Sequence, residues 1–595
     1  MVERQARAGQ LLSPSKHVGA GAIAPIESVK SMKDDERTTN VLQLQHQLIQ
    51  HVLCNMPTYW MCCMPPPITA AAAAYVDRVL TDAVATILRT SDSPEDRKQL
   101  ALACARLAGK IGGIGTNLNF TASRHAMYCS AFLSSWLPCT TVDPSILALS
   151  PAAPAAQHTA STRDFCTSWN VLQNALADVR RRHATLDADK TFWVDGSAKT
   201  AFHPALAPTY NLPDLANLFR DPSSTLFKRY TQRSLAAVLN NRAWLETKDM
   251  CDAFDTYNDD NSAVHRREAT RLVSCSQPGS GSWLARAPDH TLAHSKVASP
   301  YYLVQLQQRL GLYLSSLAPY LSATASQHER LGDAALNDMN ESARHNSALR
   351  CVFDALNALT MPNQPPHALR LCDRGDGTPA GKATARQTYA HINSGHVPDM
   401  IRHGAPPEAH EFKCVTPHVQ GPLRGQGTVQ HGGCPSQADG GDYAFGATEE
   451  NLIKKNTGLR ERGKPSDGPY DRKTGLGWVA STAKHVNAKG EPAPHDYADA
   501  QKKGHRVFLF ITESYGGMAA RLFATMRHLH KCATTPGVVD STRYGQGRAS
   551  PRSFLAHHAA ALSSAIVFAN ADNILARAVS MSIALTRATP RGAGA

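Results

Sequence analysis

A chain of 595 residues, 42% of them hydrophobic, is long enough to form two to four domains with buried cores. It contains no run of about 18 apolar residues, and Met1 to Gln10 is polar, so neither a membrane span nor a secretory leader is expected, and the nucleus or cytoplasm is the expected compartment. The net charge of +13 favours polyanionic partners, because covering phosphates releases counterions, and the 14 cysteines include no CxxC pair, so they read as reduced thiols and no zinc is expected.

Residues 1–38 are polar and irregular and are expected to form a disordered arm. A helical region is expected over 39–137. Its first helix runs from Val41 to about Cys54, with Leu42, Leu44, Leu48 and Val52 as its apolar positions. Pro57 and Pro65–Pro67 interrupt it. Ala70 to Thr90 follows as an Ala-rich helix with Val76, Leu80, Val84 and Leu88 on one face, and Glu95 to Leu107 as another. The glycines of Ile111-Gly112-Gly113-Ile114-Gly115 read as a tight corner rather than a phosphate cradle, because neither GxGxxG nor a following Lys-Ser/Thr is present. A small-residue helix is expected over Ala122 to Ser135.

Residues 138–163 are rich in Pro, Ala, Ser and Thr and read as a linker. Residues 164–335 read as a helical connector, helical through most of 164–275. Arg180-Arg181-Arg182 suits either phosphate contact, nuclear import or a solvated helix face. Tyr301 to Tyr320 and Ser342 to Leu359 are expected helices. After Pro362 short β-like runs appear, at Val397 to Ile401, His410 to Val415 and Arg506 to Thr512. The polar stretch 419–500 reads as a disordered insertion. Residues 536–595 form a C-terminal helical segment, with an Ala-rich helix or helix pair from Phe554 to Leu585.

The sharpest chemical pattern is Pro398-Asp399 followed, twelve positions after Asp399, by Glu411-Phe412-Lys413, which fits PD…(D/E)xK. Two carboxylates suit Mg²⁺, a hard ion that prefers oxygen ligands. Side chains alternate along a strand, so Glu411 and Lys413 share a face, where the amine can orient a water or offset charge on a phosphate. Asp399, Glu411 and Lys413 are therefore the candidate catalytic residues, and Asp399 and Glu411 the candidate metal ligands. The bland alternative is an exposed strand face with Asp399 in a Pro-led turn. Arg344 and His345, at the start of a helix, and Lys502 and Lys503 are candidate nucleic-acid contacts, each with a plain surface or helix-start alternative.

Taken in order, these segments resemble the C-terminal region of non-LTR retrotransposon polyproteins, the thumb-like end of a reverse transcriptase followed by a restriction-like endonuclease. The resemblance is carried by Gly112-Gly113-Ile114-Gly115 with Tyr128 and Ser130, by Ser282-Trp283-Leu284 and Pro288, and by Arg309-Leu310-Gly311-Leu312. It continues through Arg344-His345-Asn346, Pro398-Asp399, Glu411 and the Gly504 to Gly517 stretch. It implies an α+β protein: a mainly helical N-terminal two-thirds, then a small α/β restriction-endonuclease-like core over 336–535. It also implies a Mg²⁺-dependent endonuclease that nicks DNA, with DNA and possibly element RNA as partners. The alternative is an inactive nucleic-acid-binding remnant. The polymerase palm is not expected. The one YxDD string, Tyr257 to Asp260, follows the thumb-like segment instead of preceding it and lacks flanking apolar strands. The family's zinc knuckle is also missing its ligands, with Ala334 and Asp338 standing where His and Cys are implied.

Overall fold

A computed structural model describes residues 41–115, 119–143, 151–152, 155, 158–188, 212–220, 230–257, 267–285, 297–338, 341–360, 369–371, 380, 383, 398–402, 408–415, 421–422, 429–430, 506–518, 520–544 and 551–588. The expected N-terminal arm, most of the insertion, Lys502 and Lys503 lie outside the described residues. The chain divides into two compact units. The first comprises Met1–Phe254 with Lys296–Ser315, and the second Asp255–Ser295 with Ser316–Ala595. The architecture is mainly helical with a small sheet.

In the first unit, α1 (Val41–Leu48) runs into a π-helical turn (Ile49–Leu53), and α2 (Thr58–Cys63) and α3 (Pro66–Ile87) follow. Pro66 opens α3, where a missing N–H costs nothing. Val76, Leu80, Val84 and Leu88 are all buried, as their spacing implies. The apolar positions of α1 divide: Leu42 is buried, whereas Leu44, Leu48 and Val52 are exposed, and α1 buries Gln43, Gln45, His46 and Gln47 instead. Specific polar partners hold that buried side. His46 lies between the Tyr302 hydroxyl (2.8 Å) and the Ile114 carbonyl (2.9 Å), and Gln43 accepts from Val297 N–H (3.1 Å).

After α4 (Glu95–Ala105) comes the glycine corner, and it is structural. Gly112 and Gly115 have φ of 99° and 79°. A Cβ on Gly113 would sit 1.9 Å from the Leu107 carbonyl oxygen. Arg309, buried on α10 (Ser299–Leu310), donates to the carbonyls of Gly113 (2.8 Å) and Gly109 (2.6 Å). The corner's polar groups are thus spent on protein. Helix α10 was expected to reach Tyr320 but stops at Leu310, because Gly311 takes the left-handed conformation (φ 73°) that ends helices.

Helix α5 (Phe120–Val142) carries Pro138 inside it and so consumes the start of the expected linker. Helix α6 (Ala160–Ala188) consumes its end. With α7 (Leu215–Arg220) and α8 (Gln232–Tyr257) they enclose an aromatic core in which Phe132, Phe165 and Trp169 stack and Phe219 meets Trp136 edge-on. The Arg180–Arg182 run is largely neutralised locally. Arg181 pairs with Asp178, and Arg182 with Asp178 and Asp249. Tyr257 is the last residue of α8, so the YxDD string begins on a helix; Asn258 to Asp260 lie outside the described residues.

The second unit contains α9 (Arg267–Cys275), α11 (Gln327–Arg330), α12 (Asp333–Asp338) and α13 (Glu341–Asn357). Strand β1 (Leu359–Thr360) pairs with a later strand. A four-stranded mixed sheet is built from β2 (Leu369–Leu371), β3 (Met400–Arg402), β4 (Glu408–Val415) and, after the short pair β5 (Gly421–Pro422) and β6 (Val429–Gln430), β7 (Arg506–Glu513). Pairing is antiparallel from β2 through β4 and parallel between β4 and β7. Helix α14 (Ala520–Ala533), β8 (Val539–Asp540), which pairs with β1, and α15 (Phe554–Ala588) complete the unit. Met400, Phe412 and Phe510 face the core with Ala348 and Val352 of α13, Leu522 of α14 and Leu562 of α15. Burying a side chain such as Phe412 contributes about 1.5–3 kcal/mol. Within α15, Phe554–Ala584 is long and apolar enough to cross a membrane, but 61% of its most apolar window is buried in this core.

Candidate nuclease-like site

Strand β3 is short for a reason visible in its sequence. The register pairs Met400 with His410, and two more steps would set Pro398 opposite Phe412. Proline has no N–H to donate, so the ladder cannot continue there. Side chains take over its hydrogen bonds. Asp399 Oδ2 accepts from Phe412 N–H at 2.7 Å, and His345 Nε2 meets the Phe412 carbonyl oxygen at 3.0 Å and Asp399 Oδ2 at 3.2 Å. The residue before β3, the middle of β4 and the start of α13 are pinned together at a single residue, Phe412.

Glu411 and Lys413 flank Phe412. Alternation along β4 sends Phe412 into the helix-covered core and its two neighbours to the other face. Glu411 is fully buried, and Lys413 Nζ donates to its Oε1 at 2.6 Å, while the Lys413 side chain keeps 31% of its exposure. An ammonium so placed compensates the buried carboxylate and still touches solvent. Asp399 is 2% exposed. Asp399 meets β4 through the Phe412 N–H, on the side of His345 and α13, while Glu411 and Lys413 are joined to each other on the face opposite the Phe412 ring.

His345 belongs to this group. Its ring packs edge-on against Phe412, and its Nδ1 lies 3.2 Å from Asn346 Oδ1. Burial alone would lower its pKa, but the hydrogen bond and charge of Asp399, with Asn346 and the Phe412 carbonyl, outweigh it and raise the value above the ordinary 6.5. Acceptors lie beside both ring nitrogens, an environment that suits the imidazolium, which donates from both. The sequence suggested a DNA contact for His345; its position is that of a clamp on Asp399. Arg344, the other candidate on this turn, is 3% exposed, and its Nη1 donates to Asn570 Oδ1 on α15 (3.1 Å). A guanidinium aimed into the helix interface is not positioned to meet phosphate.

The spacing pattern missed several charged groups. Toward the start of β4, Glu408 accepts from Arg402 at 3.3 Å and lies 3.3 Å from His410 Nε2, and these neighbours outweigh its burial and hold its carboxyl down at about 2. At the far end of β7, Glu513 is fully buried beside the Ser274 hydroxyl, and burial pushes its carboxyl up to about 8. Its Oε1 has no hydrogen-bond partner. Asp255 accepts from the N–H groups of Glu268 (3.0 Å) and Ala269 (3.0 Å) at the start of α9. Burial, then the charge of Glu268, raises it to about 7. Arg267 forms a two-pronged pair with Asp333 (2.7 and 3.0 Å), and Arg271 pairs with Glu268 at 2.7 Å. For Asp255, Arg267, Glu268, Arg271 and Asp333 the only sequence signal was charge in a polar stretch, which usually marks a solvated face, while Glu513 lay within the Gly504 to Gly517 segment without a role of its own.

Among the described residues no group of three or more His, Cys, Asp or Glu side chains converges on a metal position. The Asp399–Glu411 pair is smaller than such a group. Its donors are all hard oxygens, the set that suits Mg²⁺. No family model, curated protein or solved structure matches the chain.

Proposed function

We propose that the second unit is a restriction-like, Mg²⁺-dependent DNA endonuclease derived from a non-LTR retrotransposon polyprotein, with no polymerase activity. One observation carries the reading: Asp399 accepts from the backbone of Phe412 while Glu411 and Lys413, on either side of Phe412, are joined at 2.6 Å. Two buried acids and an amine anchored around Phe412, in a mixed sheet preceded by α13, support this reading of the PD…(D/E)xK spacing.

In this reading Asp399 and Glu411 hold the ion. When bound, Mg²⁺ supplies Lewis-acid polarisation of the phosphate and acidifies a water. The chain's own residues do the rest. His345 fixes the Asp399 carboxylate through Oδ2, while Phe412 anchors β4 by its buried ring. Lys413, with its partial exposure, turns from Glu411 toward a phosphate oxygen or the attacking water and offsets the negative charge that develops there. The +13 charge of the chain favours DNA, and possibly element RNA, as partner.

The second reading is an inactive nucleic-acid-binding remnant. The segment Asp333 to Asp338 favours it, because Ala334 and Asp338 stand where the resemblance implies a His and a Cys ligand, and Asp333 beside them is paired with Arg267. Incubation of supercoiled plasmid with Mg²⁺ separates the two. Nicking by the wild type that is lost in Asp399→Ala and in Lys413→Ala supports the enzyme. Salt-dependent DNA binding without nicking supports the remnant.

A further inference from the structure

Helix α1 is amphipathic in the wrong sense for a surface helix. It buries Gln43, Gln45, His46 and Gln47 and exposes Leu44 (38%) and Leu48 (37%). The exposed line continues through Val52 (46%) and Met56 (44%) and is followed by Tyr59 (72%) on α2. Each of the first four lies four residues after the last. In a regular α-helix such a repeat drifts by about 40° per step, since a turn takes 3.6 residues. Here the wider π turn over Ile49–Leu53, closed by Cys54 N–H to the Ile49 carbonyl at 2.9 Å, winds the drift back. Turns of this kind are rare and cluster at functional positions. A contiguous exposed apolar strip is the mark of an interaction surface rather than of scattered surface leucines.

Charge narrows down the occupant. The sequence has no Asp, Glu, Lys or Arg between Arg37 and Asp77, although the whole chain carries +13. His46 is neutral here, because burial lowers it to about 4. A nucleic-acid surface needs several cations, and this stretch offers no Lys or Arg and, beside buried His46, only the exposed His51. An acidic or basic protein would find no counter-charge. A second copy of this chain presents the same strip without Lys, Arg, Asp or Glu, and a two-fold contact sets a patch against itself. That is the arrangement in which two strongly basic chains meet without like charges at the contact. Leucine, methionine and tyrosine with no charge is also the composition of an interface centre. We propose that this strip on α1, the π turn and α2 is the face through which two copies of the chain associate. The proposal is independent of the nuclease reading.

The test is the mass of the full chain in solution, by sedimentation and light scattering, after removal of nucleic acid at about 0.5 M salt so that phosphate bridging is screened. A concentration-dependent monomer–dimer equilibrium is expected. Leu48→Glu and Val52→Glu should each weaken it at least about tenfold, as for central interface positions. Tyr59→Lys, at a more exposed position, should do the same if either Glu variant fails to fold, and circular dichroism should show unchanged helix content. Val142→Glu and Val539→Glu, at positions 87% and 63% exposed elsewhere, should leave it unchanged. A monomer at every concentration, or a dimer indifferent to the strip variants, or one equally sensitive to the two controls, overturns the proposal.

Discussion

Replacing Glu513 with Gln should stabilise the protein increasingly as the pH rises. Burial lifts this carboxyl from its ordinary 4.5 to about 8, and the Ser274 hydroxyl only partly offsets the burial. A carboxyl raised in the folded state contributes its full stability below pH 4.5, where both states are protonated. That stability is lost as pH climbs through about 8, because only the unfolded chain ionises freely over that interval. A rise of this size corresponds to about 5 kcal/mol at most. Relaxation around the side chain reduces that, so about 2–4 kcal/mol is the expected loss between pH 5 and pH 8.5. Glutamine keeps an acceptor for Ser274 and cannot ionise. Urea unfolding of wild type and Glu513→Gln, followed by tryptophan fluorescence, should therefore give similar midpoints near pH 5 and midpoints that diverge toward pH 8.5. Asp255, raised to about 7, and His345, also raised, push the wild type the same way, while His46 and His558, both lowered to about 4, act oppositely below pH 6.5. The difference between the two proteins cancels all four. A difference that stays constant across the range, or that shrinks as the pH rises, would refute the reasoning.

Other outcomes follow from the same geometry. His345→Ala should slow plasmid nicking about 10- to 100-fold and raise the Mg²⁺ requirement, because Asp399 loses the donor at 3.2 Å. His345→Gln should recover part of both, and titrating Mg²⁺ at fixed DNA reads the two effects separately. Gly113→Ala should cost about 4 kcal/mol or more, because its Cβ would meet the Leu107 carbonyl at 1.9 Å; a lowered thermal midpoint or insoluble protein is the readout.

The sequence carried the helices whose apolar positions are also their buried ones. Val76, Leu80, Val84 and Leu88 were legible because their spacing and their burial coincide. In α1 the two part company. Periodicity located the helix, but only Leu42 of its apolar positions is buried, since the side chains that dock on α10 are glutamines and a histidine with specific partners. Pattern alone could not stop α10 at Gly311, because Leu312, Leu314 and Leu317 continue an apolar run that packs outside a helix. The spacing singled out Asp399, Glu411 and Lys413, but not that Asp399 engages the Phe412 N–H while Glu411 and Lys413 engage each other. His345 was legible only as a candidate nucleic-acid contact at a helix start, because its place beside Asp399 depends on Pro398 breaking the ladder at Phe412, a contact across 67 positions of sequence. The burial of Glu513 and Asp255 was not legible, since nothing in a sequence tells a buried carboxylate from a solvated one until its neighbours are in place.

The central claim is that Asp399 and Glu411 share one ion. Crystals of the full chain soaked in Mn²⁺, a Mg²⁺ surrogate that scatters anomalously, test it directly. The account predicts a single anomalous peak touching a carboxylate oxygen of both residues, with Lys413 turned away from Glu411. A saturating soak that gives no peak there, and leaves Lys413 on Glu411 and Asp399 on the Phe412 N–H, would contradict it.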